Sequence, residues 1–198
     1  LEIKTGVEVD ADLWRREAPG VTIVATGSRP VYPPIPGVDG KMVVTAVDLL
    51  GGKKKAGNEI VVLGGGLVGC ETALWLAQAG RKVKIAEILD QPLNAGLPVQ
   101  HMNRLMLLDL LAFHGVETYT GVRVSCLSPE GAWAVDRNGR EMLLRAETVV
   151  LAVGMEPDRN LYETVRGLSP DVYLIGDSRR PYNIMNAVWD AYEVARMV

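Results

Sequence analysis

The 198-residue sequence predicts an α/β fold: a mostly parallel sheet flanked by helices, with an antiparallel three-stranded meander inserted. Three observations carry this. Short runs of Val, Ile and Leu stop at glycine, as strands buried on both faces do. Stretches with helical spacing of apolar residues alternate with those runs. After residue 121 the period shortens to that of short strands, around an Asn138-Gly139 pair.

Taken in order, residues 2–9 alternate polar and apolar and predict a first strand. Residues 21–26 form a compact apolar run closed by Gly27, a buried strand. Residues 29–40 are rich in Pro and Gly and read as an extended loop. A short helix over 45–50 ends at Gly51-Gly52, and Lys53-Lys54-Lys55 reads as a solvated linker. Residues 59–63 are a second buried strand, 67–79 a helix stopped by Gly80, and 82–87 the next strand. Together they have the spacing of a βαβ unit. An amphipathic helix over 99–114 ends at Gly115, and 116–119 supply a third parallel strand. Strands over 122–127, 132–137 and 140–144 follow. Asn138-Gly139 predicts a type I′ hairpin turn, since both residues tolerate positive φ. Strands over 148–153 and 172–175 stop at Gly154 and Gly176, and 184–198 form a terminal helix.

Composition narrows the function classes. Twenty-one basic against 24 acidic residues leave a net charge of −3, which gives no electrostatic reason to expect nucleic acid or an anionic membrane surface. No apolar run is long enough to span a bilayer. The two cysteines, Cys70 and Cys126, form no CxxC pair and fit a reducing, cytoplasmic compartment. With two histidines and no His/Cys cluster, no zinc or iron–sulfur site is expected in this chain. The chain opens at Leu1, with no Met and no signal-peptide pattern, and is expected to be a piece of a longer protein.

The chemistry concentrates at Gly64-Gly65-Gly66-Leu67-Val68-Gly69, a G-x-G-x-x-G loop between a strand and a helix. Gly64 would let the strand turn into the helix, Gly66 would admit a pyrophosphate, and Gly69 would let helix and strand pack closely. The helix N-terminus would point its N–H groups at the phosphates. Glu87 ends the next strand 23 residues after Gly64, close to the roughly 20 expected of a ribose carboxylate. The motif alone is weak, since a tight strand–helix turn needs no ligand. The strand, the helix and the acid in order predict a Rossmann-like NAD-binding domain. A carboxylate accepts from ribose hydroxyls and repels a 2′-phosphate, and none of Ile88-Leu89-Asp90-Gln91-Pro92 is basic. NADH is therefore expected over NADPH.

The order of motifs also carries a family resemblance. Ala25-Thr26-Gly27-Ser28-Arg29-Pro30 precedes the glycine loop and Glu71; Leu151 to Asp158 and Ile175-Gly176-Asp177 follow it. This resembles the pyridine nucleotide–disulfide reductase superfamily, with two dinucleotide-binding domains. Within it, the likeness is to the C-terminal part of the NADH:flavin oxidoreductases that include 2,4-dienoyl-CoA reductase and 2-enoate reductase. The resemblance implies that Thr26, Gly27, Ser28, Gly176 and Asp177 lie near FAD, with Asp177 on its ribityl chain, and that Gly154 is a cofactor-binding residue. It also implies that the helix from Asn183 to Ala187 aims its N-terminus at the flavin ring, and that Glu71 faces the nicotinamide. Without it, Asp177 reads as a turn or helix cap and Glu71 as a solvated first-turn acid. No redox disulfide is carried over; Cys70 reads as a small packing residue.

Nothing before Thr26 matches the family's first glycine loop, which binds the FAD pyrophosphate. The flavin barrel that reduces substrate, with its FMN and iron–sulfur cluster, is also absent and would belong to the full-length protein only. The division that follows is a partial FAD-binding segment over 1–52, an NAD(H)-binding domain over 53–154 and a second partial FAD segment over 155–198. The resemblance implies hydride transfer from NADH to FAD, for reduction of an enoate or enoyl-CoA type substrate at a site outside this chain. Two alternatives stand beside it: a nucleotide-binding module without catalysis, and the NAD domain of another flavoprotein such as an NADH oxidase. A methyltransferase also combines a glycine loop with a strand-end acid. The Ile175-Gly176-Asp177 segment and the hairpin meander argue against it. No acid, base or nucleophile is assigned within the chain.

Overall fold

The computed structural model describes residues 2–94 and 98–198. In chain order the elements begin with α1 (Ala11–Glu17), β1 (Thr22–Val24), β2 (Ser28–Pro30), β3 (Val43–Thr45) and α2 (Ala46–Leu50). They continue with β4 (Glu59–Leu63), α3 (Leu67–Gln78), β5 (Lys82–Ala86), α4 (His101–Phe113) and β6 (Glu117–Tyr119). The meander β7 (Arg123–Ser128), β8 (Gly131–Val135) and β9 (Glu141–Arg145) leads to β10 (Thr148–Leu151) and β11 (Met155–Pro157). Then come α5 (Asn160–Val165), β12 (Val172–Leu174), a 3-10 turn (Gly176–Ser178) and α6 (Ile184–Ala195).

The chain divides into two compact units, Pro30–Gly154 and the pair Leu1–Arg29 with Met155–Val198. In the first, five parallel strands run in the order β3-β10-β4-β5-β6. The apolar run of β4 has no polar face because both its faces are covered. Ile60 and Val62 point with Val83, Ile85 and Val150 toward α3 and α4, onto Cys70, Ala73, Leu76, Leu107 and Leu111. Val61 and Leu63 point the other way with Val149 and Leu151, onto Val124, Leu127, Ala132, Ala134 and Leu144 of the meander. The result is three layers with the sheet in the middle.

The second unit is smaller. Strands β1 and β12 pair in parallel, Trp14, Val24 and Val165 form a buried apolar cluster, and Val194 of α6 is buried as well. Trp14 hides its indole while donating Nε1–H to Thr22 Oγ1 at 2.8 Å, which satisfies the one polar atom that burial would strand.

The structure departs from the sequence reading in local detail. Residues 2–9 form no strand: Ile3, Val7 and Val9 are exposed and no ladder receives them. Helix α1, in contrast, forms where no apolar period announced it, capped by Asp10, whose carboxylate accepts from Leu13 N–H at 2.7 Å. Strand β3 pairs with β10 and so belongs to the five-stranded sheet, within the compact unit Pro30–Gly154. The meander turn is also of another type. Gly139 has φ +79°, Asn138 does not reach positive φ, and Gly139 N–H donates to Asp136 O at 3.1 Å. The Asp136 carboxylate supplies the missing order, accepting from the N–H groups of Asn138 (2.8 Å) and Arg140 (2.9 Å).

Candidate functional site

The glycine loop forms the sharp exit of β4 into α3. Gly64 has φ +99°, and a Cβ there would lie 2.5 Å from the Ala152 carbonyl oxygen. At Gly69, buried in the first turn of α3, a Cβ would fall 1.9 Å from the Gly64 carbonyl oxygen. Helix and strand therefore meet at a distance only hydrogen allows, as the spacing predicts. Gly66 is the N-cap of α3 and offers no side-chain cap, which leaves the first-turn N–H groups of Leu67 and Val68 without one. Leu67 is half-buried and Val68 exposed.

Gly65 is the centre of the arrangement. Its N–H donates to Glu87 Oε2 at 2.5 Å, and its carbonyl accepts from Leu93 N–H at 2.7 Å. Glu87 is only 4% exposed. It does not face open solvent at its strand end: it lies flat on Gly65, and its other oxygen accepts from Leu89 N–H at 2.8 Å. A buried carboxylate with both oxygens hydrogen-bonded is satisfied as it stands. Each oxygen has a second lone pair, so the group can still accept from a diol.

Cys70 sits beneath this loop, fully buried, with its Sγ donating to the Gly65 carbonyl at 3.3 Å. Burial, and then the nearby Glu87 charge, push its thiol up to about 12. It stays a neutral thiol near pH 7 and serves packing, not nucleophilic chemistry. Glu71 is exposed and has no hydrogen bond or ion pair among the described residues.

Basic groups absent from the sequence around Glu87 arrive from the meander. Arg137 pairs with Asp90, and Arg123 and Arg137 line one shallow depression with Ile88 and Gly121. Reasoning along the sequence missed them because they lie more than 30 residues downstream of Glu87. No local signal could have found them.

In the other unit the remaining predicted residues also gather, around the 3-10 turn. Ser28 Oγ–H donates to Asp177 Oδ2 at 3.1 Å, and Tyr182 N–H donates to Asp177 Oδ1 at 3.3 Å. Thr26 Oγ1–H donates to the Asp158 carbonyl at 2.6 Å, and the Gly27 carbonyl accepts from Asp158 N–H at 2.9 Å. Gly176 (φ +59°) lies against Ala187 of α6, and its N–H donates to Asp190 Oδ2 at 3.1 Å. Asn186, in the first turn of α6, has a buried Oδ1 with no partner among the described residues. Gly154 belongs to neither cluster; its carbonyl accepts from Val31 N–H at 3.1 Å.

A family model described as pyridine nucleotide-disulphide oxidoreductase matches residues 20–191. The chain belongs to the pyridine nucleotide-disulphide oxidoreductase family. Members of this family bind FAD and NAD(P). A cinnamate reductase of Clostridium sporogenes is 38% identical over 198 residues, which is 100% of this chain and 29% of the relative. An NADH oxidase of Thermoanaerobacter brockii is 37% identical over 200 residues, covering 98% of this chain and 30% of the relative. The solved 2-naphthoyl-CoA reductase complex superposes with a TM-score of 0.90 at 31% identity, covering 98% of this chain and 29% of that one. The chain thus spans about 30% of the length of these relatives. Among the described residues no helix is long and apolar enough to cross a membrane.

The local geometry fits a dinucleotide in the Pro30–Gly154 unit. The space that Cβ atoms at Gly64 and Gly69 would need is taken by backbone, the α3 N-terminus is uncapped by any side chain, and a satisfied carboxylate lies beside it.

Proposed function

We propose that this chain is the NADH-binding and FAD-contacting part of a flavin-dependent oxidoreductase, working in the cytoplasm. The observation that carries the reading is the Glu87 carboxylate folded onto Gly65, beside the uncapped first turn of α3. Gly64 to Gly69 would hold the pyrophosphate, and Glu87 the adenosine ribose. When bound, NADH supplies the hydride and FAD accepts it; the protein groups supply position and electrostatics. Thr26, Gly27, Ser28, Gly176, Asp177 and Ala187 would lie along the FAD, with the unpartnered Asn186 amide beside them. Gly154 and Glu71 are retained as nucleotide contacts on the strength of the resemblance.

The relatives named as cinnamate reductase and 2-naphthoyl-CoA reductase support an enoate or enoyl-CoA substrate for the whole protein, reduced outside this chain by a flavin barrel. The relative named NADH oxidase supports the other flavoprotein reading. NADH is the expected donor, because Arg137 is already paired with Asp90 and Glu87 would repel a 2′-phosphate.

The test is a fluorescence titration of the protein with NADH, NADPH and S-adenosylmethionine. Saturable NADH binding, with NADPH at least about tenfold weaker, is expected; a like charge facing the phosphate costs about 1.4 kcal/mol or more for that ratio. Equal affinity for the two nucleotides would remove the donor preference. Binding of S-adenosylmethionine alone would replace the reading.

A further inference from the structure

Gly65 has the widest backbone freedom of any residue type, yet both its peptide groups must hold still for Glu87 to be presented. Its N–H is held by Glu87 itself, and its carbonyl by Leu93 N–H at 2.7 Å. Leu93 is a poor residue for that task by its own preference. It has φ +61°, the left-handed region that a branched apolar side chain avoids, and it is buried. Something must therefore hold it.

The holder is on another element. Arg104, half-buried on α4, donates Nη1–H to the Leu93 carbonyl at 2.8 Å and Nη2–H to Gln91 Oε1 at 3.3 Å. It makes no ion pair among the described residues, so its planar fork is committed to two acceptors of the β5–α4 connection. A chain of contacts results: Arg104 to Leu93 O, Leu93 N–H to Gly65 O, Gly65 N–H to Glu87.

We propose that Arg104 is a positioning residue for the adenosine half of the dinucleotide, acting through Leu93 and Gly65 on the Glu87 carboxylate. This rests on the reading that the glycine loop and Glu87 take NADH. Arg104 touches no reacting atom, and its loss acts by freeing Leu93 to leave the left-handed region. Gly65 then keeps only the weak Cys70 thiol donor on its carbonyl, and the loop samples orientations that do not present Glu87.

The experiment compares wild type, Arg104→Met and Arg104→Lys in titrations with NADH, ADP-ribose and reduced nicotinamide mononucleotide. Met keeps an unbranched apolar stem and loses both donors; Lys keeps a single cationic donor group. Arg104→Met is expected to weaken NADH and ADP-ribose alike, by about tenfold for loss of a charge-assisted hydrogen bond. Reduced nicotinamide mononucleotide, which has no adenosine ribose, should be unchanged. Lys should restore part of the loss. If Arg104→Met does not fold, Arg104→Leu, which also has no donor, gives the same reading. Wild-type affinity in the variant overturns the role of Arg104 alone, and so does an equal loss for all three ligands. A wild-type protein that binds neither NADH nor ADP-ribose overturns the nucleotide reading, and this proposal with it.

Discussion

Glu87 does two jobs with one carboxylate. It closes the glycine loop by accepting from Gly65, and it starts the next turn by accepting from Leu89. Both partners are N–H groups, so only a group that accepts at both ends fits. Glu87→Gln keeps the shape and turns one end into a donor facing a donor. The expected result is a loss of about 1–3 kcal/mol in stability, the cost of a buried unsatisfied group, seen as a lower denaturant midpoint. NADH binding should weaken with it. Glu87→Gln at wild-type stability would show that the two N–H groups are satisfied in some other way. Sequence reasoning found Glu87 from its position after the loop. It could not find how the residue is held, because its backbone is tied to Tyr119 and Val122. The Tyr119 carbonyl accepts from Glu87 N–H at 2.8 Å, and the Glu87 carbonyl accepts from Val122 N–H at 3.0 Å.

Among the elements, β4–α3–β5 was the most legible stretch and also the most local. The strand over 59–63 appears with the predicted bounds, and α3 ends one residue before the predicted 79. A continuous apolar run, a glycine loop and a helical period leave one assignment open. By contrast, β3 offers only Val43, Val44 and Thr45 in a Pro/Gly-rich neighbourhood. It becomes a strand because β10 offers it an edge, with Val43 opposite Val149, and no reading of its own residues shows that partner. The meander was legible as three short strands, while its turn chemistry was set by the Asp136 side chain. The contact between α3 and β4 supports a second prediction. Gly69→Ala would put a methyl group into the Gly64 carbonyl, so the helix start must move away from the strand. Overpacking of this kind costs about 1–3 kcal/mol. Circular dichroism should still show a folded protein, with a melting point several degrees lower and NADH affinity reduced. An unchanged melting point would mean that the helix can retreat freely, and that the close approach is not what selects glycine there.

At the scale of the whole molecule, the two units differ in how much of their apolar surface they bury. The Pro30–Gly154 unit has apolar cores on both faces of its sheet. The other unit buries few apolar side chains, and its α6 leaves Ile184, Met185, Val188, Trp189 and Tyr192 half exposed or more. Among the described residues its two parallel strands pair only with each other, although parallel sheets are ordinarily covered on both faces. The chain spans about 30% of the length of its relatives. Nucleotide affinities should divide accordingly. The protein is expected to bind NADH saturably and to lose FAD on gel filtration, because Asp177 and Ser28 are satisfied by each other. The check is the flavin absorbance of the eluted protein after incubation with FAD, followed by addition of NADH without oxygen. Stoichiometric flavin that bleaches on NADH addition would show a complete site in this chain and would sink the division. Flavin-free protein that still binds NADH would support the binding module as the behaviour of the isolated chain.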